Sequence, residues 1–179
     1  DLTFFGKVVE KAMARSRWVS DDEIGVILAL LTPENQLAVE VSLRYGLRIG
    51  DCLALKTEDV CKGRFSIREQ KTAKRRTLTI APEFQARLLR VAGRLYVFEH
   101  RLDWRLHRTR QAVYSDIKRA TKALRLSGQI SPHSARKAYA VRMYKSSGYD
   151  IKRVSALLNH SDEAVTMIYA LADQMKKRG

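Results

Sequence analysis

Signals that begin α-helices recur along the chain, and they constrain its fold more than any other feature. Ser20 is followed three residues later by Glu23, which is the capping-box pattern. Thr32-Pro33-Glu34 and Ser131-Pro132 each place a capping residue before a proline at the first helical position. Asp150 precedes a further run of apolar residues at helical spacing. The sequence therefore predicts a mainly α-helical fold.

The middle of the chain has a different period. Phe65 and Ile67 alternate with polar residues, and the alternation resumes over Thr77-Leu78-Thr79-Ile80. The segment between them is basic and contains Lys71. This pattern predicts a short antiparallel hairpin, or a three-stranded sheet, with a basic turn. The expected fold class is mainly α with a small antiparallel β-sheet, an α+β arrangement.

Length and periodicity favour a single domain. A chain of 179 residues suits one domain with a sizeable core and is short for two. Further helices are expected from Pro82 to Leu95 and over residues 106–126, and no internal repeat is evident. We expect one folded domain over residues 20–179, ending in a basic tail. Residues 1–19 are expected to be a first helix or the remnant of a linker.

The chain is strongly basic. Its 34 Lys and Arg residues against 19 Asp and Glu residues give a net charge of +15 at pH 7. The bases concentrate over residues 62–76 and 101–125, whereas residues 20–60 are acidic overall. This surplus favours nucleic acid as the partner. A membrane surface is disfavoured, because no basic amphipathic helix with a bulky apolar face stands apart from the fold.

The same composition indicates an intracellular protein. No apolar run approaches the roughly 20 residues that a membrane-spanning helix needs. Cys52 and Cys61 fit neither a disulfide framework nor a zinc motif. Both cysteines are expected to be small buried residues in a reducing compartment.

Tyr169 is a candidate nucleophile. A lone tyrosine on an amphipathic helix is most often a core or interface residue, and its phenol has a pKa of about 10. It can attack only if a base removes its proton or cations stabilise the phenolate. His160 lies nine residues earlier, just before the helix start at Ser161-Asp162-Glu163, and gives Tyr169 a possible chemical partner.

Three further positions could bind phosphate. His133 and Arg136 share one face of the first turns of a helix, where backbone N–H groups favour an anion, although solvated pairs of this kind are common. Arg48 lies between two glycines that permit close approach of a ligand, but an ion pair with Asp51 explains it equally well. Lys71 lies in the basic turn of the predicted hairpin and is either solvated or a proton donor. Neighbouring lysine and arginine residues compete for the role of proton donor.

Four stretches of the chain resemble the catalytic domain of the tyrosine recombinases, the phage integrase family. They are YGLRIGDCLALKTEDV, REQKTAKRRTLTI, HSARKAYAVRMY and VSALLNHSDEAVTMIYALAD, and they follow the order of the family with appropriate gaps. The four stretches run from Tyr45 to Asp173, and the resemblance as a whole covers residues 20–173. A single match would be weak, but four in order that end in a tyrosine are specific.

The resemblance implies six catalytic residues, which are Arg48, Lys71, His133, Arg136, His160 and Tyr169. The arginines would clamp the scissile phosphate while the tyrosine attacks it, leaving a 3′-phosphotyrosyl link and a free 5′ hydroxyl. His133 would accept or hold the phenolic proton, and His160 would bind a non-bridging oxygen. Lys71 would protonate the departing 5′ oxygen, and Asp51 would support the site. The scheme requires no metal, ATP or other cofactor.

The resemblance also implies a role for the chain and its partners. We expect a site-specific recombinase of a phage or other mobile element in a bacterial host, acting on double-stranded DNA. Self-association is expected, as a monomer alone and a tetramer on DNA. An amino-terminal DNA-binding domain usual in the family is not expected in this chain. Further contacts to DNA are expected from Lys74, Arg75, Arg76, Arg105, Arg108, Arg110 and Lys137.

Some features depart from the family or leave other functions open. Ala135 and Lys137 stand where family members often carry leucine and histidine, but neither is a catalytic position. A type IB topoisomerase uses similar chemistry, and a catalytically silent DNA-binding module would share the basic surface. An RNA-binding module is less favoured, because Phe65 is the only aromatic residue of the strand region.

Overall fold

The computed structural model describes residues 16–68 and 75–158, and within them the chain is mainly helical with one small sheet. This confirms the expected fold class. The elements in chain order are α1 (Asp21–Ala29), α2 (Pro33–Tyr45), α3 (Ile49–Leu53), α4 (Thr57–Cys61), β1 (Arg64–Arg68), β2 (Arg75–Thr79), α5 (Pro82–Val91), α6 (Arg110–Ala123), α7 (Pro132–Ser146) and α8 (Ile151–Leu157).

The helices begin where local capping chemistry predicts. Ser20 and Glu23 form a complete capping box at α1, in which each side chain accepts a hydrogen bond from the other residue's backbone N–H. Ser131 caps α7, with proline at the first helical position. The Asp150 carboxylate caps α8 by accepting from the backbone N–H of Arg153 at 3.1 Å. These caps satisfy donors that the helix itself leaves without partners.

The strands β1 and β2 pair antiparallel. Phe65 lies opposite Leu78, and Arg68 lies opposite Arg75. Phe65 is 2% exposed and joins the core, whereas the hydroxyls of Ser66 and Thr77 share a 2.9 Å hydrogen bond on the outer face. In the part of the chain that the structure describes, the sheet therefore has the two strands of a hairpin, not three.

Three local predictions were wrong. α5 ends at Val91, before Leu95, because Ala92 turns into extended backbone. α6 begins at Arg110 rather than at residue 106, because residues 99–107 form a small hairpin, called the finger below, that is closed by a bridge between Glu99 and His107. Cys61 is exposed at the last residue of α4, whereas Cys52 is buried as expected.

The core surrounds α2, which packs against α3, α5, α6 and α7. Val39 and Val41 of α2 are fully withdrawn from water, as are Leu53 and Phe98. A second apolar cluster joins α7 and α8 through Tyr139, Tyr144, Val154 and Leu158. No described helix is long and apolar enough to cross a membrane.

Candidate active site

A sharp turn after α2 positions Arg48. Gly46 ends α2 with a φ of 66°, the left-handed conformation that glycine adopts most readily. The Ser42 hydroxyl donates a 2.7 Å hydrogen bond to the Leu47 carbonyl and so fixes the turn. Arg48 follows as the N-cap residue of α3, which begins at Ile49, and its side chain is half-buried.

The turn can approach α7 only because Gly46 has no side chain. A Cβ there would lie 2.4 Å from Cε1 of Tyr139 on α7 and 3.2 Å from Cδ2 of Leu158. These separations are shorter than carbon atoms tolerate. The bare backbone of Gly46 therefore lets the Arg48 segment lie against the helix that carries His133 and Arg136.

The first turns of α7 carry the predicted histidine and arginine in different environments. His133 is exposed at the second helical residue, and Arg136 is only 6% exposed one turn further on. The Arg136 guanidinium donates to the Leu158 carbonyl at 3.3 Å. A guanidinium stays charged when buried, so Arg136 is a fixed cation held away from bulk water.

The environment of Cys52, in α3, includes charges from both α3 and α7. Burial raises the pKa of the Cys52 thiol, the neighbouring Asp51 carboxylate raises it further, and the positive charge of Arg136 lowers it. Asp51 is itself 3% exposed and lies inside α3, not at its start. The charges of Asp51 and Arg136 thus both act on the buried Cys52 thiol. Asp51, the predicted supporting residue, is therefore in the neighbourhood of Arg136, one of the two arginines predicted to clamp the phosphate.

A cleft of about 440 Å³ opens beside His133. One wall is the polar face of α6, where the Lys118 ammonium lies 5.5 Å from the ring centroid of Tyr114. The other walls come from the start of α3 and the residues that lead into α7. The lining residues are Ile49, Arg110, Gln111, Tyr114, Lys118, Gln129, Ile130, Ser131, Pro132 and His133.

The cleft can attract an anion. Arg110 and Lys118 are cationic, His133 becomes so on protonation, and none of the lining residues is acidic. Cations that converge on a concave surface raise the local concentration of a polyanion. The arrangement is therefore suited to hold a phosphodiester near the start of α7.

Residues 16–17, called the brace below, are bound to the start of α7 by hydrogen bonds. The Ser134 hydroxyl donates to the Arg17 carbonyl at 2.8 Å, and the Lys137 ammonium donates to the Ser16 carbonyl. The Arg17 guanidinium donates to the Ser127 carbonyl at 2.7 Å and pairs with the Glu23 carboxylate at 2.7 Å. The brace thus holds both the first turns of α7 and the loop that leads into it.

A second network anchors α6 to the start of α2. The Asp116 carboxylate accepts hydrogen bonds from Asn35 Nδ2 at 2.8 Å, from the Thr32 backbone N–H at 2.9 Å and from Arg119 Nη2 at 2.7 Å. Burial raises the pKa of Asp116, but these hydrogen bonds outweigh it and lower the pKa overall. The wall of the cleft is therefore tied to the central helix.

The predicted site residues fall into two groups. The start of α3 and the start of α7 share a cleft, which Ile49 and His133 both line, and the charges of Asp51 and Arg136 both act on Cys52. Arg48 precedes Ile49 as the N-cap residue of α3. Lys71, His160 and Tyr169 lie outside the described residues, so their roles stay predictions.

The residues predicted to contact DNA have varied settings. Arg110 lines the cleft, and Arg75 is exposed on β2. Arg105 pairs with Asp103 at 2.9 Å, and Arg108 donates to the Asn35 side chain at 2.6 Å. Lys137 belongs to the contacts of the brace. The remaining two, Lys74 and the side chain of Arg76, lie outside the described residues.

Sequence reasoning missed several residues of this site. Gln111, Tyr114 and Lys118 were not among the predicted site residues, but their one, four and eight residue offsets from Arg110 place them on one stripe along the cleft. The role of Arg17 gave no signal, because the partners that tie it to α7 and its preceding loop, Ser127 and Ser134, lie over a hundred positions away in the sequence. In the described segments, no group of three or more His, Cys, Asp or Glu side chains is placed to hold a metal ion.

The sequence is similar to known families and proteins. The model of the Phage integrase family matches residues 17–176. An integrase/recombinase of Escherichia coli is 27% identical over 197 aligned residues, which cover 84% of this chain but only 58% of that protein. A tyrosine recombinase of Thermosipho africanus (strain TCF52B) is 27% identical over 196 aligned residues, covering 98% of this chain and 68% of that protein.

The fold is also similar to solved structures. XerA recombinase matches with a TM-score of 0.66 at 22% identity, covering 92% of this chain and 64% of that chain. A lambda integrase dimer bound to a COC′ core site matches with a TM-score of 0.70 at 23% identity, covering 87% of this chain and 48% of that chain. At these identities the comparison shows a shared fold.

Proposed function

The chain belongs to the phage integrase family, and on that premise we propose that it is the catalytic part of a site-specific DNA recombinase. Its domain would extend over residues 20–179. It would cleave and rejoin strands through a 3′-phosphotyrosyl intermediate, with neither metal nor ATP. The chain spans 58% of the length of the E. coli relative.

The observation that carries this proposal is the setting of Arg136. Its guanidinium is 6% exposed, anchored to the Leu158 carbonyl, and one turn from His133 at the mouth of a cationic cleft. Fixed, partly dehydrated cations stabilise charge that develops on phosphate oxygens without reorganising during the reaction. With Arg48 at the start of α3, the site has two guanidinium groups on separate elements, which suits a phosphate clamp.

The remaining chemistry is assigned to His133 and to three residues outside the described part of the chain. Tyr169 would attack the phosphorus and form the covalent link, and His133 would accept or hold its proton. His160 would bind a non-bridging oxygen, and Lys71 would protonate the departing 5′ oxygen. The anchor between Arg136 and Leu158 supports this scheme, because Leu158 precedes His160 by two residues.

We propose double-stranded DNA and further copies of the chain as partners. The similar solved structures include a lambda integrase dimer on a core site and a lambda integrase tetramer on a Holliday junction. The net charge of +15 favours DNA independently of these relatives. The enzyme would be a monomer alone and a tetramer on DNA, working at the nucleoid of a bacterial cell.

A nicked suicide substrate tests the reaction. Such a substrate loses the strand end needed for rejoining, so the covalent adduct accumulates. We expect an adduct whose modified peptide maps to Tyr169 by mass spectrometry. Tyr169→Phe should abolish the adduct and leave DNA binding intact. Tyr149→Phe is the matched control, because Tyr149 is 60% exposed in the loop after α7 and should leave the adduct unchanged.

Other outcomes would identify other functions. DNA binding without an adduct on any substrate would contradict the recombinase and favour a silent DNA-binding module. An adduct that persists in Tyr169→Phe would show that another residue is the nucleophile. Relaxation of supercoiled DNA with no need for a specific site would indicate a type IB topoisomerase.

A further inference from the structure

The finger between α5 and α6 carries a concentrated exposed apolar surface. Of the described residues, eight large apolar side chains are exposed, and three of them lie within five positions at the tip of the finger. These are Leu102, Trp104 and Leu106, with exposed fractions of 80%, 47% and 54%. Single exposed apolar residues are ordinary in proteins, whereas a cluster of this kind marks a contact surface.

The tip is held out from the domain by a structured base. Phe98, at the start of the finger, is fully buried in the core, and its carbonyl accepts a 2.6 Å hydrogen bond from the Arg108 backbone N–H. Inside the finger, the His100 N–H donates to the Leu106 carbonyl at 2.9 Å. A hairpin with a buried, hydrogen-bonded base presents its tip at little further cost in conformational entropy.

The surroundings of the tip are cationic. The Arg94 guanidinium lies 5.7 Å from the ring centroid of Trp104, and Arg101 is exposed beside it. Residues 94–110 contain five arginines against two acids. A second copy of this chain, at +15, would bring like charges together, so the finger is better matched to a polyanion.

The finger is continuous with the cleft of the candidate active site. Arg108 follows the last residue of the finger, and Arg110, the first residue of α6, is two positions further along the chain. That distance is at most about 7 Å along the backbone. Arg110 lines the cleft together with His133. A duplex held at the cleft would therefore extend across the base of the finger.

We propose that the tip of the finger inserts Trp104, flanked by Leu102 and Leu106, into a groove of duplex DNA beside the cleaved phosphate. Apolar side chains in this position act as wedges that partly unstack a base step, and an indole gains stacking contact in doing so. Arg94 and Arg101 contact phosphates at the edges of the groove. The inference rests on the proposed function for the identity of the ligand, but not for the chemistry of cleavage.

Indole fluorescence tests the insertion directly, because the chain has only two tryptophans. Wild type and Trp104→Phe are titrated with a mixed-sequence duplex, and quenching by acrylamide is measured with and without DNA. We expect DNA to shield a fluorescence component that is present in wild type and missing in Trp104→Phe. Because Trp104 is exposed, this variant should keep the fold, and circular dichroism verifies that.

Affinity provides a second measurement. Trp104→Ala should weaken DNA binding about tenfold, the loss of one stacked base. It should leave the dependence of affinity on salt unchanged, because no charge is removed. Tyr149→Ala is the matched control, an exposed aromatic residue in another loop, and should bind DNA as wild type does.

The possible results separate this inference from the proposed function. Tight DNA binding with no shielding of Trp104 would overturn the inference and leave the recombinase proposal standing. Failure to bind DNA at all would overturn both. Shielding by anionic lipid vesicles but not by DNA, or by raising the protein concentration alone, would overturn the DNA assignment in favour of a membrane or a second copy.

Discussion

At the scale of residues, Arg136 combines burial with a permanent positive charge. It is almost fully buried, yet it remains charged. Its guanidinium donates to the carbonyl of Leu158, just after α8, and its charge lowers the pKa of the Cys52 thiol in α3. A buried guanidinium that is held in place one turn from His133 is suited to bind a phosphate oxygen, which is the basis of the phosphate-clamp proposal.

Replacing Arg136 by lysine should slow formation of the covalent adduct about 100-fold in single turnovers on the suicide substrate. Lysine keeps the charge but loses the planar donors that clamp a phosphate at two points. Arg142→Lys is the matched control, because Arg142 lies on the same helix, is 45% exposed and pairs with Asp21 at the surface. Equal rates for the two variants would contradict the clamp.

Asp116 predicts an acid-dependent loss of stability. Its folded-state pKa is lowered, so its contribution is fully present above the unfolded value of about 4 and is lost as the pH falls through the folded pKa. Asp116→Asn should therefore cost about 1–3 kcal/mol of unfolding free energy at neutral pH. The difference from wild type should shrink progressively below pH 4.

Denaturant titrations at a series of pH values measure this effect. Asp103→Asn is the control, since Asp103 pairs with Arg105 on the exposed finger and should change stability little at any pH. A constant difference between wild type and Asp116→Asn across the acidic range would show that the Asp116 charge is not responsible.

At the scale of elements, the turn between α2 and α3 depends on Gly46 for two separate reasons. Its φ of 66° disfavours any side chain, and a Cβ would collide with the Tyr139 ring at 2.4 Å. Gly148 has a similar φ of 70°, but a Cβ there would meet nothing within 4 Å. The two glycines therefore separate backbone strain from steric collision.

Gly46→Ala should destabilise the protein by about 2–5 kcal/mol, the sum of backbone strain and overpacking. Gly148→Ala should cost only about 1–2 kcal/mol, because it adds strain alone. Chemical denaturation of both variants measures the difference. Similar losses in the two variants would show that Tyr139 moves aside at little cost, and that the close approach of α2 to α7 does not depend on Gly46.

Local signals explain which elements the sequence could predict. Ser20, Ser131 and Asp150 cap their helices through contacts within three residues, so the pattern alone was sufficient. Only the end of the finger, from Leu106, was predicted as the start of α6, because the hairpin depends on a backbone pairing between Arg108 and the buried Phe98 that the local pattern does not show. The same limit applied to the site, since the burial of Arg136 depends on Leu158, 22 positions away.

The family motifs supplied what local patterns could not. Spacing alone left Arg48 evenly divided between a structural ion pair and a ligand contact, and left Tyr169 as an ordinary core aromatic. The order of the four motifs gave both residues their predicted roles. Asp116 and its partners Thr32 and Asn35 belong to no such motif, so the network over more than 80 positions became visible only in the fold.

At the scale of the whole molecule, we expect charge to govern the proposed association with DNA. The net charge of +15 is distributed unevenly, and the cationic cleft and finger lie next to each other along the chain. Each phosphate neutralised by a lysine or arginine releases counterions from the duplex. Non-specific binding should therefore be strong at low ionic strength and should weaken steeply as salt is added.

Raising the salt from about 50 to about 200 mM should lower DNA affinity by about 10³-fold or more, if six or more phosphates are contacted. Arg110→Gln should reduce the slope of log affinity against log salt by about 0.9, because one phosphate contact is lost. Arg142→Gln should leave the slope unchanged, because Arg142 lies in the second half of α7 and does not line the cleft. Fluorescence anisotropy over a salt series measures both slopes.

The brace has a consequence for when the domain becomes active. Its contacts join residues 117 and 121 positions apart, and they meet at the helix that carries His133 and Arg136. During synthesis, these contacts cannot form until the ribosome has released α7, long after residues 16–17 emerge. A nascent chain therefore has no assembled phosphate clamp. The proposed strand cleavage would therefore have to wait until α7 has been made and has folded against the brace.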